Sequence, residues 1–303
     1  MAGRRVTVLL VGATGFLGSF VARRLVERDV VALVRPSSDR SGLPRNISTR
    51  EGDLSGDLPL SGIDTLVYCA SMGLRPGPVP PLVRRLEAAG VQRAVFVSTT
   101  AIFTRLPATS RSTPLEAERA VQTSRLAWTI LRPTMIYGTA RDRNISRLLR
   151  LLDRWPLIPV CGSGLWQPVH VEDVADAVVA AVDSPRAVDA AYNLAGKEPL
   201  RLAEMIRVAA QALGTRVWLV PVPLPAAVLA ARLTHVVTPE QVWRLAEDKA
   251  FDYTEATRDL GFLPRSFEEG VRQEVRCLGL PTRRRWPVPR APSPRPSGPA
   301  PRR

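Results

Sequence analysis

Residues 6–11, Val-Thr-Val-Leu-Leu-Val, are apolar or β-branched without interruption, and Gly12, Gly15 and Gly18 follow at once. A run without alternation is the pattern of a strand buried on both faces. Apolar residues then recur at helical spacing, at Phe16, Leu17, Phe20, Val21 and Leu25. The glycines therefore sit where a buried strand turns into a helix. Gly12 suits the tight turn, Gly15 lets backbone approach a pyrophosphate, and Gly18 lets helix and strand pack closely. The first amides of the helix, at its positive dipole end, then face the phosphates. A plain structural turn is the alternative, but the strand before and the helix after favour dinucleotide binding.

Composition sets the outer limits. With 303 residues and 45% hydrophobic content, the chain can fill one large α/β domain or a domain plus a smaller lobe. No apolar run is long enough for a transmembrane helix. Arg4-Arg5 before the first strand could imitate a secretion signal, but the glycine turn follows too soon. Cys69, Cys161 and Cys277 are far apart and form no disulfide framework or zinc spacing, which points to a reducing cytoplasm. His170 and His235, the two histidines, support no metal site. The net charge is +14, and residues 281–303 supply half of it with seven arginines, eight prolines and no acid. That stretch reads as a disordered, extended tail. It is either a solvated arm or a contact for nucleic acid or an anionic surface.

Strands and helices then alternate. A second strand near 30–34 ends in Val34-Arg35-Pro36-Ser37. NAD-preferring proteins place an acid at this strand end to hold the ribose hydroxyls; here Val34 fills the slot and Arg35 follows. A guanidinium suits a 2′-phosphate, so NADP is expected ahead of NAD, although Arg35 also reads as a solvated loop arginine. Residues 63–71 form another buried strand that closes on the small residues Ala70 and Ser71, where a cofactor could pass closely. A helix over 81–89 stops at Gly90. The strand at 93–98 leads into Thr99-Thr100. This alternation predicts an α/β fold, a Rossmann-type doubly wound parallel sheet with ligands at the carboxyl ends of its strands. Further strands are expected near 128–133 and 191–196. A small, mostly helical C-terminal substrate lobe is expected over 201–280, on a core of 1–200 in which 139–168 shares the substrate cleft. Its helices are read at Leu202–Leu213, 226–233, 239–248 and Phe267–Cys277, with a strand near 216–222.

The spacing Gly-x-x-Gly-x-x-Gly, filled by Ala13-Thr14 and Phe16-Leu17, resembles the short-chain dehydrogenase/reductase superfamily. The closest likeness is to its extended and atypical branches, the NAD(P)-dependent epimerase/dehydratase-like proteins, over roughly residues 5–278. The resemblance implies that Gly12, Thr14, Gly15, Phe16, Leu17 and Gly18 hold the cofactor. It implies that Asp53 and Leu54, in Arg50-Glu51-Gly52-Asp53-Leu54, contact adenine, and that Ser98, Pro133 and Ile136 lie near the nicotinamide. Thr100 falls on the family's catalytic Ser/Thr position, with Thr99 and Ser98 as alternatives. Residues 162–174 match a segment read as a hairpin or loop leading to a helix with Asp173 near its start. Nucleotide-sugar enzymes carry an arginine there to grip a diphosphate; Trp166 stands near that place, suggesting a flatter, more apolar ligand.

One departure matters. Classical members pair a Tyr with a Lys four residues later, so that the ammonium lowers the phenol pKa. This chain has two lysines, Lys197 and Lys249, and neither follows Tyr68, Tyr137, Tyr192 or Tyr253 at that spacing. Ser110 and Pro114 fall on the Tyr and Lys places. Tyr137 with Arg141 has the right spacing, but a loop contact is the plainer reading of Tyr137. Arg141, Arg143 and Asn144 form a polar cluster near the expected cleft, and His170 reads as a packed structural residue. The expectation is an NADP(H)-dependent oxidoreductase that moves hydride to or from a small hydroxyl or carbonyl compound. Alternatives are a sugar epimerase/dehydratase-like enzyme and a non-catalytic NADP-binding regulator or partner-binding protein.

Overall fold

The computed structural model describes residues 6–280 apart from 55, 57, 59, 73–77, 107–108 and 235–237. The side chains of residues 109, 110, 234 and 241 also lie outside the described set. The expectations for the 281–303 tail, for His235 and for the Ser110 hydroxyl therefore fall outside it.

The strands in chain order begin with β1 (Thr7–Val11), β2 (Asp29–Val34), β3 (Ser48–Glu51), β4 (Thr65–Tyr68), β5 (Arg93–Val97) and β6 (Ala127–Pro133). Then come β7 (Ile136–Tyr137), β8 (Leu157–Val160), β9 (Leu165–Trp166), β10 (Val169–His170), β11 (Ala190–Leu194), β12 (Leu200–Arg201) and β13 (Trp218–Pro221). Seven of them form one parallel sheet in the order β11-β6-β5-β4-β1-β2-β3. The strand order reverses at β1, whose last residue Val11 pairs with Leu33 of β2 and Tyr68 of β4.

The unbroken apolar run of β1 has a direct physical reason. Val8 and Leu10 point into one apolar cluster, Leu9 and Val11 into another on the opposite face. Helices α1 (Phe16–Arg24), α2 (Val79–Ala88), α3 (Thr109–Gln122), α4 (Ile145–Arg154) and α5 (Val171–Asp183) follow in sequence. Helices α1 and α5 cover the first cluster, α2 and α3 the second. Each face of the sheet therefore removes a full layer of aliphatic side chains from water, the main favourable term in such a fold.

Helices α6 (Leu202–Leu213), α7 (Leu224–Thr234), α8 (Pro239–Trp243), α9 (Thr254–Leu260) and α10 (Phe267–Cys277) follow among the described residues. A third apolar cluster joins α4, α6 and α10. The ends of α6 have local signals: the Glu204 carboxylate accepts from the Arg201 backbone amide at 2.7 Å, and Gly214 terminates the helix in the left-handed region at φ +67°. Helix α2 starts earlier than expected, at Val79, because Pro80 and Pro81 are tolerated in a first turn.

One expectation needs correction. The helix read over 239–248 ends at Trp243, and the chain after it turns back so that Lys249 N donates to Leu165 O at 2.7 Å. There tertiary hydrogen bonds override local pattern. Of the two alternatives for residues 162–174, the loop holds: β9 pairs with β12 and β10 with β7, and Asp173 lies in the first turn of α5.

Candidate cofactor and substrate site

The glycine turn lies at the carboxyl end of β1, at the point where strand order reverses. Gly12 sits at φ +85°, and a Cβ there would meet Ala70 N at 2.8 Å. A Cβ on Gly18 would lie 1.9 Å from Gly12 O, so α1 packs on the turn with no room for a side chain. Gly15 N donates to Gly12 O at 2.9 Å and fixes the turn. Gly15 is also the N-cap of α1; no side chain caps it, and the first turn carries no acid. Amides at this helix end are therefore left for an anion. Arg141 reaches in to donate to Thr14 O at 2.8 Å, which adds positive charge at the rim. The residues present fit a dinucleotide diphosphate. Phe16 and Leu17 pack into the first cluster and anchor the helix start.

The other expected cofactor residues spread along the same edge of the sheet. Arg35 is exposed directly after β2. Asp53 is exposed, and Leu54 packs on the second cluster while its carbonyl accepts from Arg85 at 3.1 Å. Ala70 and Ser71 follow β4. Pro133 ends β6, and Ile136 lies in β7 against the first cluster. Ser98 stands differently: its hydroxyl donates to Glu118, and its amide donates to Leu131 O at 2.7 Å. Glu118 is buried and paired with Arg132 at 2.6 Å, and the Arg132 guanidinium lies 5.4 Å from the Phe103 ring centre. Ser98 thus belongs to a buried Ser98–Glu118–Arg132 network under the site, and its hydroxyl is not directed to a ligand.

A cavity of about 580 Å³ opens at the carboxyl ends of β5 and β6. Thr99, Thr100 and Phe103 line one side of it, Met135 and Asn144 another, and Trp166, Leu245, Lys249 and Phe251 close it. Thr100 Oγ1 donates to Pro133 O over a long 3.3 Å, a contact weak enough to exchange for a ligand. Thr99 Oγ1 accepts from Ala101 N at 3.1 Å and caps the short 3₁₀ turn Thr100–Phe103. Arg141 and Asn144 separate, one to the glycine turn and one to the cavity wall, while Arg143 is exposed.

Tyr137 is corrected. It is fully buried in the third cluster, against His170 and Phe267, with its hydroxyl toward Phe267 O at 3.5 Å. Burial raises its phenol pKa far above the ordinary value, and it does not line the cavity. Its spacing to Arg141 carries no catalytic pair. His170 is the packed residue expected: its Nδ1 accepts from Glu172 N at the start of α5, and burial lowers its pKa to about 4. Asp173 holds Arg265 at 2.8 Å.

Sequence reading missed the segment that closes the cavity. The Glu247 carboxylate accepts from Thr104 Oγ1 at 2.6 Å and from Arg105 N at 2.7 Å, and Asp248 accepts from Leu165 N at 2.8 Å. Gly164 allows this close docking, since a Cβ there would lie 2.5 Å from Glu247 O. The result places the Lys249 ammonium 3.6 Å from the Trp166 ring centre. Burial lowers the Lys249 pKa to about 8, against the opposing pull of Glu247. The only sequence signal for this was the scarcity of lysine.

A parallel Rossmann sheet with a glycine cradle at its reversal point defines a dinucleotide-binding protein. The chain belongs to the NAD(P)H-binding family, whose model matches residues 12–185, and its relatives support the resemblance to the extended epimerase/dehydratase-like short-chain dehydrogenase/reductases. It is 24% identical to a UDP-glucose 4-epimerase of Vibrio cholerae over 90% of this chain and 95% of that one. It is 27% identical to an NAD(P)H azoreductase of Xenophilus azovorans over 72% of this chain and 77% of that one. Its fold matches the crystal structure of a UDP-glucuronic acid 4-epimerase from Bacillus cereus in complex with NAD. That match has a TM-score of 0.71 at 17% identity and covers 90% of this chain and 99% of that one. Among the described residues no group could hold a metal ion, and no helix is long and apolar enough to cross a membrane.

Proposed function

We propose that the protein is an NADP(H)-dependent oxidoreductase of the atypical short-chain type, moving hydride to or from a small hydroxyl or carbonyl compound. The observation that carries this reading is continuity. The glycine cradle after β1, the small residues after β4 and the cavity after β5 and β6 lie on successive neighbouring strands. Strands about 4.8 Å apart put β6 roughly 14 Å from β1. That span suits an extended dinucleotide with its diphosphate at Gly15–Gly18 and its nicotinamide end beside Pro133.

Bound there, the cofactor supplies the hydride chemistry. The chain's own residues hold and orient. The first amides of α1 and Arg141 hold the diphosphate. Arg35 takes the 2′-phosphate, and Asp53 and Leu54 border adenine. Thr100 polarises the substrate oxygen, giving up its long bond to Pro133 O to do so. The aromatic walls keep water from the reacting atoms.

The test is purification with identification of co-purifying nucleotide, then NADPH oxidation with a panel of carbonyl compounds, on the native chain and on Thr100→Val. The variant should lose roughly a hundredfold in turnover, the scale of one oriented donor, with NADPH affinity nearly unchanged. Unchanged turnover would remove Thr100 from the reaction. The missing Tyr–Lys pair favours a second reading, a non-catalytic NADP-binding regulator. Tight NADPH binding without hydride transfer to any compound would select it. Interconversion of a nucleotide sugar without net NADPH consumption would instead select the epimerase-like reading.

A further inference from the structure

We propose that the cavity takes a flat aromatic carbonyl compound bearing an anionic group, and that the Lys249 ammonium pairs with that anion. The inference rests on reading this cavity as the substrate site. It starts from spare hydrogen-bond donors. An ammonium has three N–H donors, and Lys249 gives one to Arg244 O while it rests on the face of the Trp166 ring. Among the described residues no carboxylate lies within ion-pair distance of it. Glu247 and Asp248 also line the cavity and favour the charged ammonium from further off, but their oxygens accept from Thr104 and Arg105 and from Leu165. Arg244, the other basic residue at the wall, faces Glu240 at 4.0 Å. Lys249 is thus a half-enclosed cation with donors to spare, turned to a cavity large enough for a ligand.

The walls define the rest of the ligand. Phe103 and Phe251 stand with ring centres 5.5 Å apart and planes tilted by 35°, and Trp166 lies under the ammonium. Met135 and Leu245 add apolar surface. A flat unsaturated body gains dispersion and stacking from such walls, whereas the hydroxyls of a sugar would lose water without partners. One anionic group answers the Lys249 ammonium. The carbonyl is then left for Thr100 on the strand side of the same space.

The experiment measures binding rather than turnover, by calorimetry on the full chain with and without NADPH. The probes are 4-formylbenzoate and its neutral methyl ester, with UDP-glucose as a third ligand. The acid should bind roughly ten- to a hundredfold more tightly than the ester, the scale of one hydrogen bond between charged groups. Lys249→Met should erase that preference and leave ester affinity alone, and Lys249→Arg should retain it. Should Lys249→Met melt early, Lys249→Gln serves as the second neutral variant. Equal affinity for acid and ester, a preference that survives loss of the charge, no binding of either probe, or tighter binding of UDP-glucose would each overturn the proposal. The two readings fail separately. Absent NADPH uptake with the acid preference intact removes the cofactor reading alone. Normal NADPH uptake without the preference removes the Lys249 assignment alone.

Discussion

The glycine cradle and the Lys249 cavity, the two halves of the proposed site, are made by different means. The cradle is backbone: a strand end, a turn and a helix start, contiguous over 12–18. The cavity is side chains, and its walls come from β5, β6, β9 and a turn near residue 249 that are far apart in sequence. The first tolerates almost no change at its fixed glycines, and Ala13, Phe16 and Leu17 between them pack into the first apolar cluster. The second depends on a tertiary scaffold of buried polar groups. Local chemistry builds the part proposed to grip the cofactor's diphosphate, and long-range packing builds the part proposed to select a substrate.

The largest test of that contrast lies under the cavity. Arg132 and Glu118 are paired where Glu118 has almost no access to water, and Arg132 also backs Phe103 in the cavity wall. Arg132→Met leaves a buried carboxylate with only Ser98 for company. It should cost about 3–5 kcal/mol in denaturant unfolding, because an uncompensated buried charge is expensive. The double change Glu118→Met with Arg132→Met should be markedly milder. A single variant as stable as the native chain would mean the network does not support the wall.

Next in size is Gly18→Ala. The added Cβ would press on Gly12 O, a backbone atom that cannot rotate away. The expected loss is about 2–3 kcal/mol, together with weakened uptake of either dinucleotide. Gly42→Ala is the control, since nothing lies within 4 Å of a Cβ there. It should melt and bind as the native chain does. Equal behaviour of the two variants would dissolve the cradle argument.

A smaller effect of opposite sign separates the halves by pH. Glu274 of α10 is fully buried, facing the Asp142 carboxyl, and neither of its oxygens makes a hydrogen bond of good geometry. Burial, with Asp142 second, raises its pKa to about 10. Folding therefore retains a proton that the unfolded chain releases near pH 4.5. That contribution is whole at lower pH and is lost progressively as pH rises toward about 10. Glu274→Gln should stabilise the chain by about 1–2 kcal/mol at pH 8 and flatten the alkaline slope of its melting temperature. Its amide can donate to Asp142, whose Oδ2 has no partner. An unaltered slope would show that the pair carries no retained proton. The cradle has no titratable side chain between 12 and 18, so this change should leave dinucleotide binding alone.

The same contrast explains what could be read in the sequence. The β1 turn was legible because each feature is local: no polar residue interrupts 8–11, and the glycines meet backbone at set points. Helices α6 and α10 were legible to the residue because their apolar spacing is local and their ends carry local signals, Gly214 after α6 and a Ser266–Glu269 capping box before α10. The closing turn at 244–249 was not legible. Helical spacing ran on past Trp243, and the hydrogen bonds that end the helix come from Thr104, Arg105 and Leu165, more than 80 residues away. Tyr137 misled for a related reason. Spacing to Arg141 was visible, but the two side chains depart to opposite sides, one to Phe267 and one to Thr14.

The smallest effect tests whether the cradle reads anything beyond the diphosphate. Arg35 is exposed at the end of β2, where Val34 is buried and offers no carboxylate to ribose hydroxyls. A guanidinium there adds charged hydrogen bonds to a 2′-phosphate and nothing to a 2′-hydroxyl. Solvent screens an exposed pair, so the gain is modest, about tenfold or 1.4 kcal/mol in favour of NADPH over NADH. Arg35→Glu should reverse that preference: its carboxylate repels the phosphate and can accept from the ribose hydroxyls. Titration of both reduced dinucleotides at two salt concentrations checks it, because the NADPH advantage of the native chain should shrink as salt rises. Equal losses for the two dinucleotides would make Arg35 a general rim charge with no part in cofactor choice.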